Sequence, residues 1–130
     1  MPPDPLSADV RRFLAEMVRS VNELELLLLL RDNEQEGFTA SRASRELYQA
    51  EGWVAGHLEA LVALRLAERA EDDPPAYRYA PADPPTRRTV DRLADAFARR
   101  RTRVIALIYR PEPSSAELFA VVASRGTEAE

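Results

Sequence analysis

Few side chains in this 130-residue chain can do covalent or metal chemistry: there is no cysteine, there is one histidine, His57, and the 18 basic residues are all arginine. A lone His with no Cys cannot assemble a metal triad or a nucleophile-base pair, and four glycines form no Gly-rich phosphate loop. The chain is therefore expected to be no enzyme and to hold neither metal nor cofactor, with His57 a core-edge or capping histidine. What remains is ion pairing and hydrogen bonding. Its densest cluster is Thr39, Ser41, Arg42, Ser44 and Arg45 in the stretch TASRASR. Thr39 is a good N-cap for a helix starting at Ala40, and the free amides and positive end of such a helix favour a phosphate. The competing reading of this face is a solvated surface with local ion pairs such as Arg42 with Glu46.

The charge balance limits what these arginines can do. Net charge is −4, and the basic excess is confined to residues 86–110, with eight Arg against two acids. An acidic chain of this kind presents no broad cationic footprint. The first residues, MPPDPLSADVRR, show no apolar stretch behind a basic one, so no export signal is read there. The apolar run 26–30 is five residues long, whereas a bilayer takes about 20. Together these describe one soluble domain over 1–130 that does not enter a membrane, and the lack of cysteine fits a reducing cytoplasm.

The elements that must position the cluster follow from periodicity. Val10, Phe13, Leu14, Met17 and Val21 recur at helical spacing after Ser7, a candidate N-cap. SVNE then offers a capping box, with Ser20 capping the amide of Glu23 and Glu23 reaching back to the amide of Ser20. A second helix over 21–33 starts there, or one long helix bends there. Its leucines at 24 and 26–30 cover most of its circumference, the pattern of a helix covered from several sides. Phe38 reads as a single-residue strand, 40–49 as a third helix anchored by Ala43 and Leu47, and Gly52 as a turn before a fourth helix over 53–64. That fourth helix buries Val54, Leu58, Leu61 and Val62. Residues 66–71 and 77–80 alternate around a turn at 72–75, as a hairpin does.

Helix, stub strand, two helices joined by a short turn and a hairpin, in that order, resemble the winged helix-turn-helix fold. The stretch LYQAEGWVAGHLEALVALRLAER is similar to MarR-type transcriptional regulators, and the resemblance covers residues 20–81. It implies a mainly α fold with a small β-hairpin and extra N- and C-terminal helices, and a dimer that binds double-stranded DNA. Arg65 stands where the family usually has a glycine in a left-handed helix cap. Carried over by position, the groove-facing residues are Gly52, Trp53, Ala55, Gly56, Glu59 and Ala60. None is a forked donor of the kind that reads guanine or adenine; Glu59 can accept from cytosine and Trp53 can stack or wedge. Trp53 can equally be half-buried packing between helices. Arg69 and Arg78 would flank the wing, whose tip is acidic through Glu71, Asp72, Asp73 and Asp83. Four arginines per subunit, Arg42, Arg45, Arg69 and Arg78, would neutralise about eight phosphates per dimer and give a log-log salt slope near −7.

After the prolines at 84 and 85, Thr86 or Thr89 caps a long helix reaching about residue 109, with Val90, Leu93, Phe97, Val104, Ile105 and Ile108 as its apolar stripe. The RRRTR of 99–103 interrupts that stripe and reads most simply as a polar face paired with acids of the first 36 residues, with phosphate contact as the other reading. Pro111 and Pro113 end the helix, a second capping box from Ser114 to Glu117 opens a short helix carrying Leu118, Phe119, Val121 and Val122, and 125–130 fray. The resemblance assigns the helices over 6–19 and 86–124 to a homodimer interface, through Phe13, Leu14, Phe97, Ile105 and Ile108. Two functions fit: a DNA-binding transcriptional regulator working mainly through backbone contacts, or a winged helix that binds another protein, or its own copy, without DNA.

Overall fold

The computed structural model describes residues 6–109. The expected stop at Pro111 and Pro113, the capping box at Ser114 and the short helix after it lie outside them. The order is α1 (Ala8–Met17), α2 (Val21–Asp32), α3 (Ala40–Leu47), α4 (Glu51–Ala63), β1 (Ala67–Ala70), β2 (Ala76–Tyr79), α5 (Pro84–Arg99) and α6 (Arg101–Tyr109). The fold is mainly helical with one antiparallel hairpin, in which Ala67 faces Tyr79 and Ala70 faces Ala76. Phe38 adds an isolated bridge to Tyr77, so the stub strand lies on the far edge of β2.

α2 is the centre. Leu24, Leu26, Leu27, Leu28 and Leu30 are all buried, and the helix touches α3, α4 and β2. α1 packs on α5 and α6, so the terminal helices form a second layer. Ion pairs tie that layer to α2 and the turn after it: Arg31 to Asp91 at 3.0 Å, Glu34, two residues past the helix end, to Arg87 at 2.8 Å, and Glu25 to Arg101 at 3.3 Å. Arg92 and Asp9, 3.3 Å apart, add one between α5 and α1. Of the 99–103 run only Arg101 pairs with an acid of the first 36 residues, whereas Arg99 pairs with Asp95 one turn away on its own helix; Arg87 and Arg92, outside the run, also pair with acids of the first 36.

Several local expectations are corrected. Ser7 occupies the N-cap position of α1, but its hydroxyl makes no capping bond. Ser20 does accept from the Glu23 amide at 3.2 Å, while the Glu23 carboxylate accepts from the amide of Arg19, one residue before the expected partner, at 2.7 Å. α3 ends at Leu47 because Tyr48 turns left-handed at φ 55° and its amide closes the last turn onto the Ser44 carbonyl. The turn of the helix-turn-helix is thus made by residues 48–50, and Gly52 lies inside α4. The long terminal helix is two helices. Asp83, not a threonine, is its N-cap, accepting from the Thr86 amide at 2.8 Å; Pro84 and Pro85 fill its first turn, where no amide donor is needed. The helix breaks at Arg100, since a straight helix would carry Arg100 and Arg101 onto the buried face between Phe97 and Val104. The break leaves both exposed.

Arg65 adopts the left-handed conformation at φ 61° that glycine would take more easily, and Tyr48 does the same while 93% exposed. Tyr48→Gly gives up almost no packing. It is expected to raise the melting temperature, by the roughly 1 kcal/mol a left-handed Cβ costs, less a part for glycine's greater chain entropy. Leu58, fully buried in α4, is the opposite case. Leu58→Ala is expected to destabilise by about 2 to 5 kcal/mol in denaturant titration, and an unchanged midpoint would contradict its place in the core.

Candidate nucleic-acid interface

The start of α3 is well defined. The Thr39 hydroxyl accepts from the Arg42 amide at 3.1 Å, and the Thr39 carbonyl accepts from the Ala43 amide at 3.0 Å. The Ser44 hydroxyl donates to the Gln49 carbonyl and stitches the inter-helix turn. Both hydroxyls therefore serve the fold, and among the expected phosphate ligands Ser41 and Arg45 have no side-chain hydrogen bond or ion pair among the described residues. Arg42 lies between these cases. Its guanidinium stacks 4.2 Å from the centre of the Phe38 ring and reaches Glu36 and the Gly37 carbonyl, each at 3.4 Å. The expected pairing with Glu46 is replaced by one with Glu36, because the stack on Phe38 turns the side chain back toward the chain entering α3.

α4 exposes Gly52, Gly56, Glu59 and Ala60. A Cβ added at either glycine would meet nothing within 4 Å, so the backbone there lies open to a partner. Trp53 is half-buried and stacks on His57 with ring centres 4.0 Å apart. One His57 nitrogen lies 2.8 Å from the Trp53 carbonyl and the other 3.4 Å from the Glu23 carboxylate, so His57 links α4 to the start of α2.

The wing engages its own charges. Arg69 Nη1 lies 3.2 Å from each Glu59 oxygen, and Arg69 Nε lies 3.6 Å from Glu71. The Tyr77 hydroxyl donates to the same Glu59 carboxylate. The charges of Glu59 and Glu71 hold the Arg69 guanidinium above its ordinary pKa, and burial, with the bond to Glu59, raises that of the Tyr77 phenol. Arg78 pairs with Glu68 across the hairpin at 3.5 Å. Of the five arginines between residues 37 and 85, only Arg45 and Arg65 make no ion pair among the described residues. Sequence reasoning valued Arg69 and Arg78 as phosphate ligands and missed Tyr77, whose partner is 18 residues away with no local signal.

The residues expected at a dimer interface are placed inside the chain's own core: Phe13, Leu14, Phe97 and Ile108 are buried, and Ile105 is half-buried. α1, α5 and α6 cover one another with these side chains, so what their layer shows outward comes from others, including Tyr109, which is 60% exposed. Among the described residues there is no group of His, Cys, Asp or Glu that could hold a metal, and no helix is long and apolar enough to cross a membrane.

No protein-family model and no curated relative matches the sequence. Solved structures do match it. A mutant of MepR from S. aureus bound to an oligodeoxyribonucleotide is similar with a TM-score of 0.54 at 14% identity, over 92% of this chain and 84% of that one. A MarR family transcriptional regulator from Silicibacter pomeroyi is similar with a TM-score of 0.52 at 18% identity, over 93% and 77%. RV1404 from Mycobacterium tuberculosis gives 0.51 at 14% identity, over 94% and 82%. The chain has the MarR-type winged helix-turn-helix fold.

Beneath the hairpin, Tyr79 is buried and its hydroxyl has no hydrogen-bond partner among the described residues, and burial pushes its phenol up to about 12 from an ordinary 10.0. Below pH about 10 both folded and unfolded chains keep this proton; above it the unfolded chain ionises first, so stability falls from there to about 12. Tyr79→Phe is expected to flatten that part of the stability-pH curve in denaturant titrations, leaving the smaller slope due to Tyr77. An unchanged curve would mean the phenol is not sequestered.

Proposed function

We propose that this protein is a winged-helix transcriptional regulator that binds double-stranded DNA as a homodimer in the cytoplasm, with most of its affinity coming from the phosphate backbone. What carries this reading is the open face of α4. Gly52, Gly56, Glu59 and Ala60 stand outward with free space above both glycines, in a fold whose S. aureus MepR counterpart is bound to an oligodeoxyribonucleotide. A helix of small residues can lie deep in a major groove, and the start of α3 beside it supplies Ser41, Arg42 and Arg45 for phosphates. Trp53, stacked and half-buried, sets the seat of α4 rather than reading bases.

The dimer uses the layer of α1, α5 and α6. In the two-fold arrangement a half-site geometry requires, the start of α3 is repeated once per subunit. Light scattering at micromolar concentration should report twice the chain mass, and a monomer would remove this part of the reading.

The ion pairs set the expected salt dependence. Arg69 and Arg78 are committed to carboxylates and Arg42 to Glu36, which leaves Arg45 of each subunit, and Arg42 only where a phosphate displaces Glu36, or about two to four phosphates per dimer and a log-log slope of about −2 to −4 instead of −7. Fluorescence anisotropy on mixed-sequence duplexes over a range of salt measures it directly. Arg42→Ala combined with Arg45→Ala should bring the slope close to zero. If the parent binds no duplex even at low salt, the regulator reading fails and the fold serves a protein partner instead.

A further inference from the structure

Apart from His57, α4 past its first residue carries one ionisable side chain, Glu59, and it stands on the open face. A carboxylate facing a polyanion is ordinarily repelled. Here the repulsion is answered locally, because Arg69 Nη1 lies 3.2 Å from both carboxylate oxygens. The carboxylate is also immobilised, since the Tyr77 hydroxyl that donates to it belongs to a ring buried in β2. An ionised carboxylate has about four acceptor positions, and these contacts use three of them while the side chain stays 46% exposed. One fixed, charge-compensated acceptor is thus left toward the groove side of a helix otherwise lined with glycine and alanine.

Base edges in the major groove present two kinds of amine donor, cytosine N4 and adenine N6. Adenine sets its N7 acceptor beside the amine, which repels a carboxylate, and cytosine does not. We infer that Glu59 is the specificity-determining residue of the recognition helix, accepting a hydrogen bond from a cytosine amine, with Tyr77 as its positioning residue and Arg69 as its counter-charge. The inference rests on the DNA-binding reading above. It gives Arg69 a role other than phosphate contact, and it assigns one discriminated base pair to each subunit.

The test is selection of duplexes from a randomised pool by the full chain, the Glu59→Gln variant and the Tyr77→Phe variant, each first shown to melt cooperatively. The parent should enrich cytosine at one position in each half-site. Glu59→Gln should replace it with adenine, which a glutamine amide reads through N6 and N7, shifting preference there about tenfold or more. Tyr77→Phe keeps the ring and should lower the cytosine preference by a larger factor than it lowers affinity for mixed-sequence duplexes, a split that a fold defect would not produce. A parent that binds duplexes but selects the same bases as Glu59→Gln, or a Tyr77→Phe variant with the full parental preference, overturns the inference and leaves the regulator standing. A parent that binds no duplex overturns both.

Discussion

The structure depends on burying the leucines of α2 on every side. Leu24, Leu26, Leu27, Leu28 and Leu30 point around most of the helix, so no single neighbour can cover them. α3, α4 and β2 close on α2 from the winged side, and the terminal helices form the layer beyond. At about 25 cal/mol per Å² of apolar area removed from water, such a helix is among the strongest single contributions a small domain can make. Its rim is polar where the layers meet. Arg31 with Asp91, Glu34 with Arg87 and Glu25 with Arg101 fix the angle of α5 and α6 against the core. Glu34 shows the effect on titration: its bond to Arg87 holds the carboxyl below its ordinary range.

The same economy governs the surface that would meet a ligand. The chain has 18 basic residues against 22 acids, and in the winged core the arginines are taken up by neighbouring carboxylates: Arg42 by Glu36, Arg69 by Glu59 and Glu71, and Arg78 by Glu68. Exposed pairs of this kind contribute little to stability, about 0 to 1 kcal/mol each. Their larger effect is on the field that the protein presents. They cancel charge on the wing and leave the start of α3 as its cationic point, so any polyanion is held at few places. The Glu59, Arg69 and Tyr77 contacts also join α4 to the hairpin, making the second helix of the helix-turn-helix and the wing one unit.

Much of this was legible in the sequence, for reasons that are local. The leucine run, the Thr39 and Ser20 caps, the Phe38 stub and the pairing of the hairpin all depend on residues within a few positions of one another, and all are present, although only β2 alternates in burial while β1 is exposed after Ala67. The winged helix-turn-helix outline follows from their order. Misplaced boundaries were those where a residue acts against its type. Tyr48 takes the left-handed turn expected of a glycine, so the turn lies before Gly52, and Pro84 and Pro85 open a helix instead of only closing a hairpin.

The amino-acid pattern alone determined the element types, the buried face of each helix and the scarcity of donors on α4, because periodicity and composition act along the chain. Only the tertiary structure decided which charges meet. Arg42 turns to Glu36 because Phe38 offers its ring, Arg69 reaches Glu59 because the hairpin folds back beside α4, and Tyr77 brings a hydroxyl to the same carboxylate from 18 residues away. The break at Arg100 is of the same kind, since it becomes necessary only when Phe97 and Val104 share one core and the arginines between them must stay in water. Ion pairing and burial depend on distances between side chains far apart in the chain, and those distances exist only once the leucines of α2 have drawn the helices together.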